Sequence, residues 1–443
     1  MKRILKYVLL YIILTILMLG ALYLVSFIPK NAIRNNVTKS ANKLYYEGEK
    51  VYFNSFGRKL FDDNSTDAIM LNLTYTIDEE NKLESIVKAR RNFVPGVTEK
   101  IKLDEVGDLL YENNKFSMTK ELLQTIRGEK QASYEYARYW HGYIVVLRIL
   151  LCFFDIAFIR LLTQITILLS ITILMYYMIN NTNWKMAIAI FVAFVATDLF
   201  VWINTIQGRF VMLIGLIVSI FIANKKINEK NINFWLFISG ALTAYFDFLT
   251  TPLVSILLPI IIYTAVNKKE LTLKNEIIKI TQNFIAWGFG YFGLWATKWV
   301  IADLLYDMEI IKLSFSQIFH RICGGNKDIN LIEFGFISLK RNVTISMNYL
   351  VMITYAFLMI YAIIKKICLR KEKKRLYLSS KKIPYYICII VTLAWYFIIA
   401  EHSNKHYFFT YKTMVIPLIA TAFIVFDNNK KEKLIKEKDV KND

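Results

Sequence analysis

Long stretches of apolar, almost uncharged residues are the feature that most limits what this chain can fold into. Several of them run for about 18 to 22 residues, the length that an α-helix needs to cross ~30 Å of hydrocarbon. The whole chain is 56% hydrophobic with a mean hydropathy of +0.38, which is too apolar for a single soluble core to hide. A large soluble protein is therefore excluded, and lipid must be the solvent for much of the chain.

Hydropathy predicts about ten membrane-spanning helices. The first follows Lys2 and Arg3, is too long for a signal peptide and lacks a small-x-small cleavage site, so we interpret it as an uncleaved signal anchor. The predicted spans are residues 5–28, 159–179, 186–204, 210–223, 232–249, 252–266, 283–302, 343–364, 384–400 and 413–426.

The positive charges between these spans predict the orientation. With a cytoplasmic N-terminus, the inner connections contain Lys225 to Lys230, Lys268 to Lys279, the run from Lys365 to Lys382 and the Lys-rich tail. The outer turns contain far fewer cations, as the positive-inside rule requires. We therefore expect a multi-pass protein of the cell membrane with both termini in the cytoplasm. Since the formal charge of +20 lies in these short connections and not in one basic domain, no nucleic-acid partner is expected.

This topology predicts an all-α polytopic membrane protein with a large extracytoplasmic α or α/β loop after the first helix. The expected segments are a signal-anchor helix (1–28), the extracytoplasmic loop with an interfacial helix (29–158), a central transmembrane bundle (159–302), a second extracytoplasmic loop (303–342), C-terminal transmembrane helices (343–426) and a basic cytoplasmic tail (427–443).

The first extracytoplasmic loop has the composition of a small folded insertion. Helices are predicted at 103–111 and 119–128 from their periodicity. His141, Arg148 and Asp155 recur every seven residues in an otherwise apolar stretch, so they would share one face of a helix. Such a helix is expected to lie flat in the membrane interface.

An acidic cluster in this loop is the strongest candidate for chemistry. Asp62, Asp63 and Asp67 stand close together in the sequence. They could ligate a divalent cation such as Mg²⁺ or Mn²⁺, or one of them could act as a general base. The alternative is a solvated turn in which Ser65 or Thr66 caps a helix that begins at Asp67.

A second polar cluster lies between the last two predicted spans. His402 and His406 are four residues apart and would share a helix face, with Lys405 and Lys412 nearby. Two histidines could bind a metal, but the lysines favour an anion such as phosphate. The alternative is that any membrane hairpin needs polar residues at its turn. In the second outer loop, His320 beside Arg321 could likewise receive a phosphate oxygen, or belong to an exposed loop.

Several ionisable residues fall within or at the ends of the predicted spans, namely Asp198, Arg209, Asp247, Lys298 and Asp303. Such groups are costly in hydrocarbon unless they are paired or hydrated, so each is a candidate for function. An interhelical pair or, near a span end, a side chain reaching to the interface explains them equally well.

The arrangement resembles the GT-C class of membrane glycosyltransferases. The resemblance covers nearly the whole chain and depends on the acidic cluster, on the stretch 136–143 with Arg148, and on the late turn 402–412. It implies a sugar donor carried on a polyprenyl phosphate, a cell-envelope glycan or protein as acceptor, and Asp62, Asp63 or Asp67 as the base. The residues implied for holding the donor phosphate are Arg138, His141, Arg148, His402, His406 and Lys412.

Two other functions remain open. A transporter or flippase for a lipid-linked or anionic solute would place Asp198 and Asp247 in a midplane cavity between two repeated halves, although the sequence contains no internal repeat. A non-catalytic scaffold for envelope assembly would be a closed helix bundle whose soluble insertion binds a partner.

Overall fold

The computed structural model of this protein describes residues 2–93, 101–103, 109–111, 117–129, 132–267, 269–324, 330–371 and 379–427. Most of the predicted basic tail and part of the Lys365–Lys382 run lie outside these residues. The described chain is predominantly helical, as the sequence predicts.

The first helix, α1 (Lys2–Val25), leads into a folded insertion of helices and short strands. Its strands form three two-stranded antiparallel sheets, β1 with β2, β3 with β6 and β4 with β5. The elements are α2 (Lys30–Glu47), β1 (Lys50–Ser55), β2 (Arg58–Asp63), α3 (Asn64–Tyr75), α4 (Lys82–Lys88), β3 (Arg90–Phe93), β4 (Ile101–Leu103), β5 (Leu109–Tyr111), α5 (Met118–Arg127), β6 (Ala132–Glu135) and α6 (Tyr143–Leu150).

The remainder of the chain forms a helical bundle. Two 3₁₀ turns, Ser380–Lys382 and Tyr411–Met414, lie within it. The helices are α7 (Ile156–Asn181), α8 (Trp184–Ala196), α9 (Leu199–Trp202), α10 (Arg209–Ala223), α11 (Ile232–Phe246), α12 (Val254–Val266), α13 (Leu273–Tyr306), α14 (Ile310–Cys323), α15 (Leu331–Ser346), α16 (Tyr349–Lys371), α17 (Ile383–Ile398), α18 (Ala400–Lys405), α19 (Tyr407–Thr410) and α20 (Val415–Phe426).

Every predicted span overlaps one of these helices. Within the described residues, five segments are both long and apolar enough to cross a membrane: Tyr7–Val25, Ile156–Asn181, Tyr349–Cys368, Ser380–Ile398 and Tyr407–Phe426. Helices α8, α10, α11 and α12 are apolar but shorter. Large apolar side chains such as Ile16, Leu169 and Ile353 are more than half exposed, which is the arrangement expected where lipid covers a protein surface. These features are those of a membrane protein.

The helix connections collect at two opposite ends of the bundle. At the end that we call the lysine end, Asn181 Nδ2 donates to Ala223 O at 3.0 Å and Lys381 Nζ lies 3.1 Å from Asp427 Oδ2. At the other end, which carries the insertion, Asn348 Nδ2 donates to Ala196 O at 2.7 Å. The Lys-rich connections and the insertion therefore lie at opposite ends.

The insertion is fixed to the bundle by buried polar contacts. Trp140 Nε1 donates to Leu294 O at 2.7 Å, and Lys298 Nζ of α13 donates to Val87 O at the end of α4 at 2.5 Å. Gly142 N donates to Tyr245 O at 2.8 Å, and a Cβ at Gly142 would lie 2.2 Å from the Tyr245 ring. Because the Lys298 ammonium donates to backbone carbonyls, the presence of this charge within a predicted span has a structural explanation.

Two sequence predictions about the insertion are wrong. Within 103–111, the described residues Leu103 and Leu109–Tyr111 are strands, because they pair with each other as β4 and β5. His141, Arg148 and Asp155 also do not share the face of one helix. Only Arg148 of these three residues lies in α6, since His141 has a φ of +57° before the helix and Asp155 is the N-cap of α7.

Two helix starts also differ from the prediction. Asp63, and not Ser65 or Thr66, caps α3, which begins at Asn64 and not at Asp67. The second loop is largely helical, because α14 and α15 fill much of 303–342. Consequently the next span begins at Tyr349, after α15 ends at Ser346, and not at residue 343.

Candidate functional site

Strand β2 directs a cation and a carboxylate toward the bundle. In a strand, alternate residues share a face, so Arg58, Leu60 and Asp62 lie on one side of β2. We call the group that meets on this side the hairpin cluster. Its members are Arg58, Asp62, Asp198, Asn204, Tyr411 and Lys412.

Asp62 has one oxygen that the protein uses and one that it does not. Its Oδ2 accepts a hydrogen bond from Asn204 Nδ2 at 2.9 Å. Its Oδ1 is buried and has no partner among the described residues. Burial raises the pKa of Asp62, while the Asn204 hydrogen bond and the charges of Lys412 and Arg160 oppose that rise. Such a carboxylate is suited to accept a proton from a ligand.

Both carboxylate oxygens of Asp63 accept hydrogen bonds from neighbouring residues. Its Oδ1 caps α3 through Ser65 N at 3.1 Å, and its Oδ2 accepts from Thr66 Oγ1 at 2.6 Å and Gln207 Nε2 at 2.9 Å. Burial raises the pKa of this carboxyl group too.

Asp67 is fully buried and equally occupied. Arg160 donates to its Oδ2 from Nε at 3.0 Å and from Nη2 at 2.7 Å, and the amide of Ile206 donates to its Oδ1 at 2.8 Å. Asp67 therefore joins α3 to α7 and to the connection before α10.

Asp198, one of the charged residues within a predicted span, is part of the hairpin cluster. Asp198 has a φ of +63° and accepts hydrogen bonds from Ser55 Oγ at 2.6 Å, Arg58 Nη2 at 2.5 Å and Tyr411 Oη at 2.9 Å. The Nε and Nη1 atoms of Arg58 are buried without a described partner. Arg58 thus has donors left over for an anion.

Lys412 brings a second cation to the cluster. It is only 4% exposed and interacts electrostatically with Asp62, Asp198 and Asp63. A buried ammonium beside a carboxylate with an unused oxygen can hold an anionic group while the carboxylate accepts a proton.

A polar cavity of about 330 Å³ adjoins Asp62. The insertion contributes Lys43, Glu47 and Asp62 to its lining, and α7 contributes Arg160 and Leu161. Leu161 is 47% exposed, so the cavity borders the apolar outer surface of α7. A molecule with a polar head and an apolar tail could reach Asp62 along this surface.

Two residues predicted to hold phosphate have structural partners instead. Arg148 is fully buried and donates to Ile28 O and Thr74 O. His141 donates from Nε2 to Tyr136 O at 2.7 Å and accepts at Nδ1 from Tyr143 Oη at 2.9 Å. Burial lowers the pKa of His141 to about 3, which favours a neutral ring at pH 7.

Of the other residues predicted to hold phosphate, Arg138 lines a second cavity, and His402 contacts Arg321, which lines it too. The rings of His402 and His406 are close, with centroids 4.8 Å apart. His402 donates from Nε2 to Leu249 O at 2.8 Å, and its Nδ1 accepts from Arg321. Arg321 and Arg138 both line this cavity. The structure therefore places Arg138 at a different cavity from Asp62.

Asp247, the other carboxylate considered for a carrier, has its own partners. Its oxygens accept from Thr250 N at 3.0 Å and Thr250 Oγ1 at 2.5 Å. It does not share these partners with Asp198, which belongs to the hairpin cluster.

No group of three or more His, Cys, Asp or Glu side chains is arranged to hold a metal ion in the part of the chain that the structure describes. Asp62, Asp63 and Asp67 each turn toward different protein donors.

Sequence reasoning missed Arg58, Arg160, Asn204, Gln207 and Tyr411. Arg160 offered a signal, since it is a lone cation at the start of an apolar segment. Asn204 and Gln207 had none, because polar residues in a short connection between helices are expected for solubility alone.

Comparisons of the chain with protein families, with curated proteins and with solved structures find no match. The geometry of the site is therefore the basis for a functional assignment.

Proposed function

We propose that this protein is a membrane glycosyltransferase of GT-C type. It would transfer a sugar from a polyprenyl-phosphate donor to a cell-envelope glycan or protein. In this proposal the insertion lies on the outer side of the membrane, the chain crosses the bilayer about ten times, and the lysine end faces the cytoplasm.

The observation that supports this proposal most directly is the unused oxygen of Asp62. It is buried beside a polar cavity, next to the cations Lys412 and Arg160. A transferase of this kind needs one carboxylate to accept a proton and nearby cations to hold a phosphate. The carboxylate oxygens of Asp63 and Asp67 already accept hydrogen bonds from other residues of the protein, so we assign the role of base to Asp62.

The proposed reaction follows from these groups. An acceptor hydroxyl attacks the anomeric carbon, and its proton passes to Asp62 Oδ1. A bond forms between the acceptor oxygen and the sugar while the bond between the sugar and the donor phosphate breaks. The phosphate leaves on its polyprenyl chain with the electron pair, and Lys412 and the unpartnered nitrogens of Arg58 stabilise its added charge.

A transporter or scaffold function has weaker support. Asp198 is engaged by Ser55, Arg58 and Tyr411, and Asp247 by Thr250, so neither carboxylate is left over for a passing solute. A closed scaffold would not need a carboxylate that adjoins a cavity and keeps a buried oxygen unused.

The test is to incubate the purified full chain with a panel of polyprenyl-phosphate sugars and envelope acceptors and to measure turnover. We expect Asp62→Asn to lower turnover by roughly 10²- to 10⁴-fold, the usual contribution of a general base. The substitution keeps the size of the side chain and an oxygen able to accept from Asn204, so the fold should persist.

Asp63→Asn and Asp67→Asn are the matched variants. We expect both to lower the temperature of unfolding, because their carboxylates accept several buried hydrogen bonds. Any loss of turnover should then parallel the loss of folded protein. Full turnover by folded Asp62→Asn protein would remove Asp62 from the mechanism.

A further inference from the structure

A second cavity, separate from the hairpin cluster, lies between α13, α14 and α17. Its volume is about 430 Å³. We call it the lateral cleft and define it by Arg138, Tyr139, Trp295, Ser314, Arg321 and Trp395. It shares none of the residues that line the polar cavity beside Asp62.

Two guanidinium groups, those of Arg138 and Arg321, line the lateral cleft. The guanidinium carbon of Arg138 lies 5.5 Å from the centre of the Tyr136 ring. Arg321 donates from Nη2 to Tyr139 Oη at 3.4 Å and from Nη1 to His402 Nδ1. Arg321 forms no ion pair with a carboxylate in the described part of the chain. Since its hydrogen bonds within the described residues are all with neutral groups, this guanidinium favours an anion in the cleft.

Two neutral donors in the same cleft are also unused. Trp295 Nε1 and Ser314 Oγ are both buried, and neither has a hydrogen-bond partner within the described ranges. An unpaired buried donor costs roughly 1–3 kcal/mol. Oxygen acceptors of a bound molecule would remove this cost.

The rest of the cleft is apolar and opens to the outer surface. Trp299 and Trp395 contribute aromatic walls. At its edge Phe292 is 55% exposed, Ile318 41% and Ile398 56%. Surfaces of this kind are covered by acyl chains in a bilayer. The occupant should therefore be amphipathic, with its head inside the cleft.

We propose that the lateral cleft binds an acidic glycerophospholipid from the surrounding bilayer. Its phosphodiester would lie between Arg138 and Arg321, and its ester carbonyls would accept from Trp295 Nε1 and Ser314 Oγ. A glycerophospholipid carries both kinds of acceptor, whereas a polyprenyl phosphate offers phosphate oxygens alone. The two unused neutral donors therefore favour the glycerophospholipid. This inference does not depend on the proposed transferase activity.

The test is native mass spectrometry of the purified full chain with added phosphatidylglycerol or phosphatidylcholine of the same acyl composition. We expect retention of phosphatidylglycerol over phosphatidylcholine. The double variant Arg138→Gln/Arg321→Gln should weaken phosphatidylglycerol binding by about tenfold or more. Trp295→Phe keeps an aromatic wall but removes the N–H, so it should weaken the binding of both lipids.

Two controls separate this site from general attraction of lipid and from catalysis. Arg341→Gln removes an exposed cation of α15 that stacks on Tyr407 outside the cleft, and it should leave lipid retention unchanged. Asp62→Asn should also leave it unchanged, even if turnover is lost. The proposal is overturned by equal retention of both lipids, by an unaffected double variant that is folded, or by displacement of phosphatidylglycerol by an equimolar polyprenyl phosphate.

Discussion

The three neighbouring aspartates of the insertion differ in how many of their oxygens the protein itself uses. Asp67 and Asp63 accept hydrogen bonds at both oxygens, whereas Asp62 keeps one oxygen unused. Spacing in the sequence cannot separate them, because all three are short acidic side chains within six residues of the chain. The partners that distinguish them come from α7 and from the connection before α10, which are distant in the chain.

Arg148, which the sequence resemblance assigns to the donor phosphate, donates instead to backbone carbonyls, and this structural role can be tested. Its guanidinium donates to Ile28 O and Thr74 O, which join the end of α1 to the end of α3. Arg148→Ala leaves these carbonyls unsatisfied, so we expect a loss of roughly 3 kcal/mol in the free energy of unfolding. Thermal unfolding in detergent measures it.

Arg34→Ala is the control for this prediction, because Arg34 is exposed on α2 and its removal should change stability by less than about 0.5 kcal/mol. A variant at Arg148 that unfolds at the wild-type temperature but loses donor binding would instead assign Arg148 to the ligand.

At the scale of elements, α11 and α13 approach each other closely through two glycines. A Cβ at Gly240 would lie 2.1 Å from Trp287 O, and a Cβ at Gly290 would lie 2.1 Å from Phe237 O. We therefore expect Gly240→Ala and Gly290→Ala each to destabilise the protein by about 2 kcal/mol, since the backbones must separate. The unfolding temperature in detergent is the measurement.

Gly288→Ala is the matched control on the same helix. The nearest atom to a Cβ at Gly288 is Phe292 Cδ2 at 3.8 Å, an ordinary contact, and alanine favours the helix. This variant should be as stable as the wild type or slightly more so. Equal stability of all three variants would mean that the two helices do not pack in this way.

Helix α5 carries a carboxylate that should make the stability of the insertion depend on pH. Burial raises the pKa of Glu121 to about 7, and Glu49 contributes while Arg91 opposes the rise. A raised pKa means that the folded protein binds the proton more tightly than the unfolded chain. The resulting stabilisation is complete below pH ~4.5 and is lost as the pH rises through about 7, with a full size of roughly 3 kcal/mol.

We therefore expect the unfolding temperature of the wild type to fall between pH 5 and pH 8 more steeply than that of Glu121→Gln, which cannot titrate at this position. Parallel pH profiles of the two proteins would show that Glu121 titrates normally.

At the scale of the whole molecule, the insertion and the Lys-rich connections occupy opposite ends of the bundle. In a membrane this arrangement would put the insertion outside and the lysines inside. In a cysteine-free background, Asn81→Cys in the insertion should therefore react with a membrane-impermeant maleimide in intact cells. Lys230→Cys, at the lysine end, should react only after permeabilisation. The reverse pattern would invert the topology and place the hairpin cluster in the cytosol.

Much of the helical architecture could be predicted from the sequence because each span has its own local signal. Every predicted span overlaps a helix, since an apolar run that crosses lipid must satisfy its backbone hydrogen bonds within itself. The insertion was harder to predict. Strands β4 and β5 have three residues each, and so short a strand is stable only through its partner.

The candidate site likewise has a part that could be predicted from the sequence and a part that could not. Asp62 could be selected from the sequence as part of an acidic cluster, Lys412 as part of a late polar turn, and Asp198 as a charge within a predicted span. The contacts between them could not be predicted, because the partners of Asp198 are distant in the chain. Arg58 is 140 positions away from it and Tyr411 is 213 positions away. Hydropathy and charge act locally along the chain, and so the sequence by itself determined the apolar helices and the unequal charge of their connections. Only the tertiary structure decided which carboxylate keeps an unused oxygen and which guanidinium groups line a cleft, because hydrogen-bond partners are set by packing between distant segments.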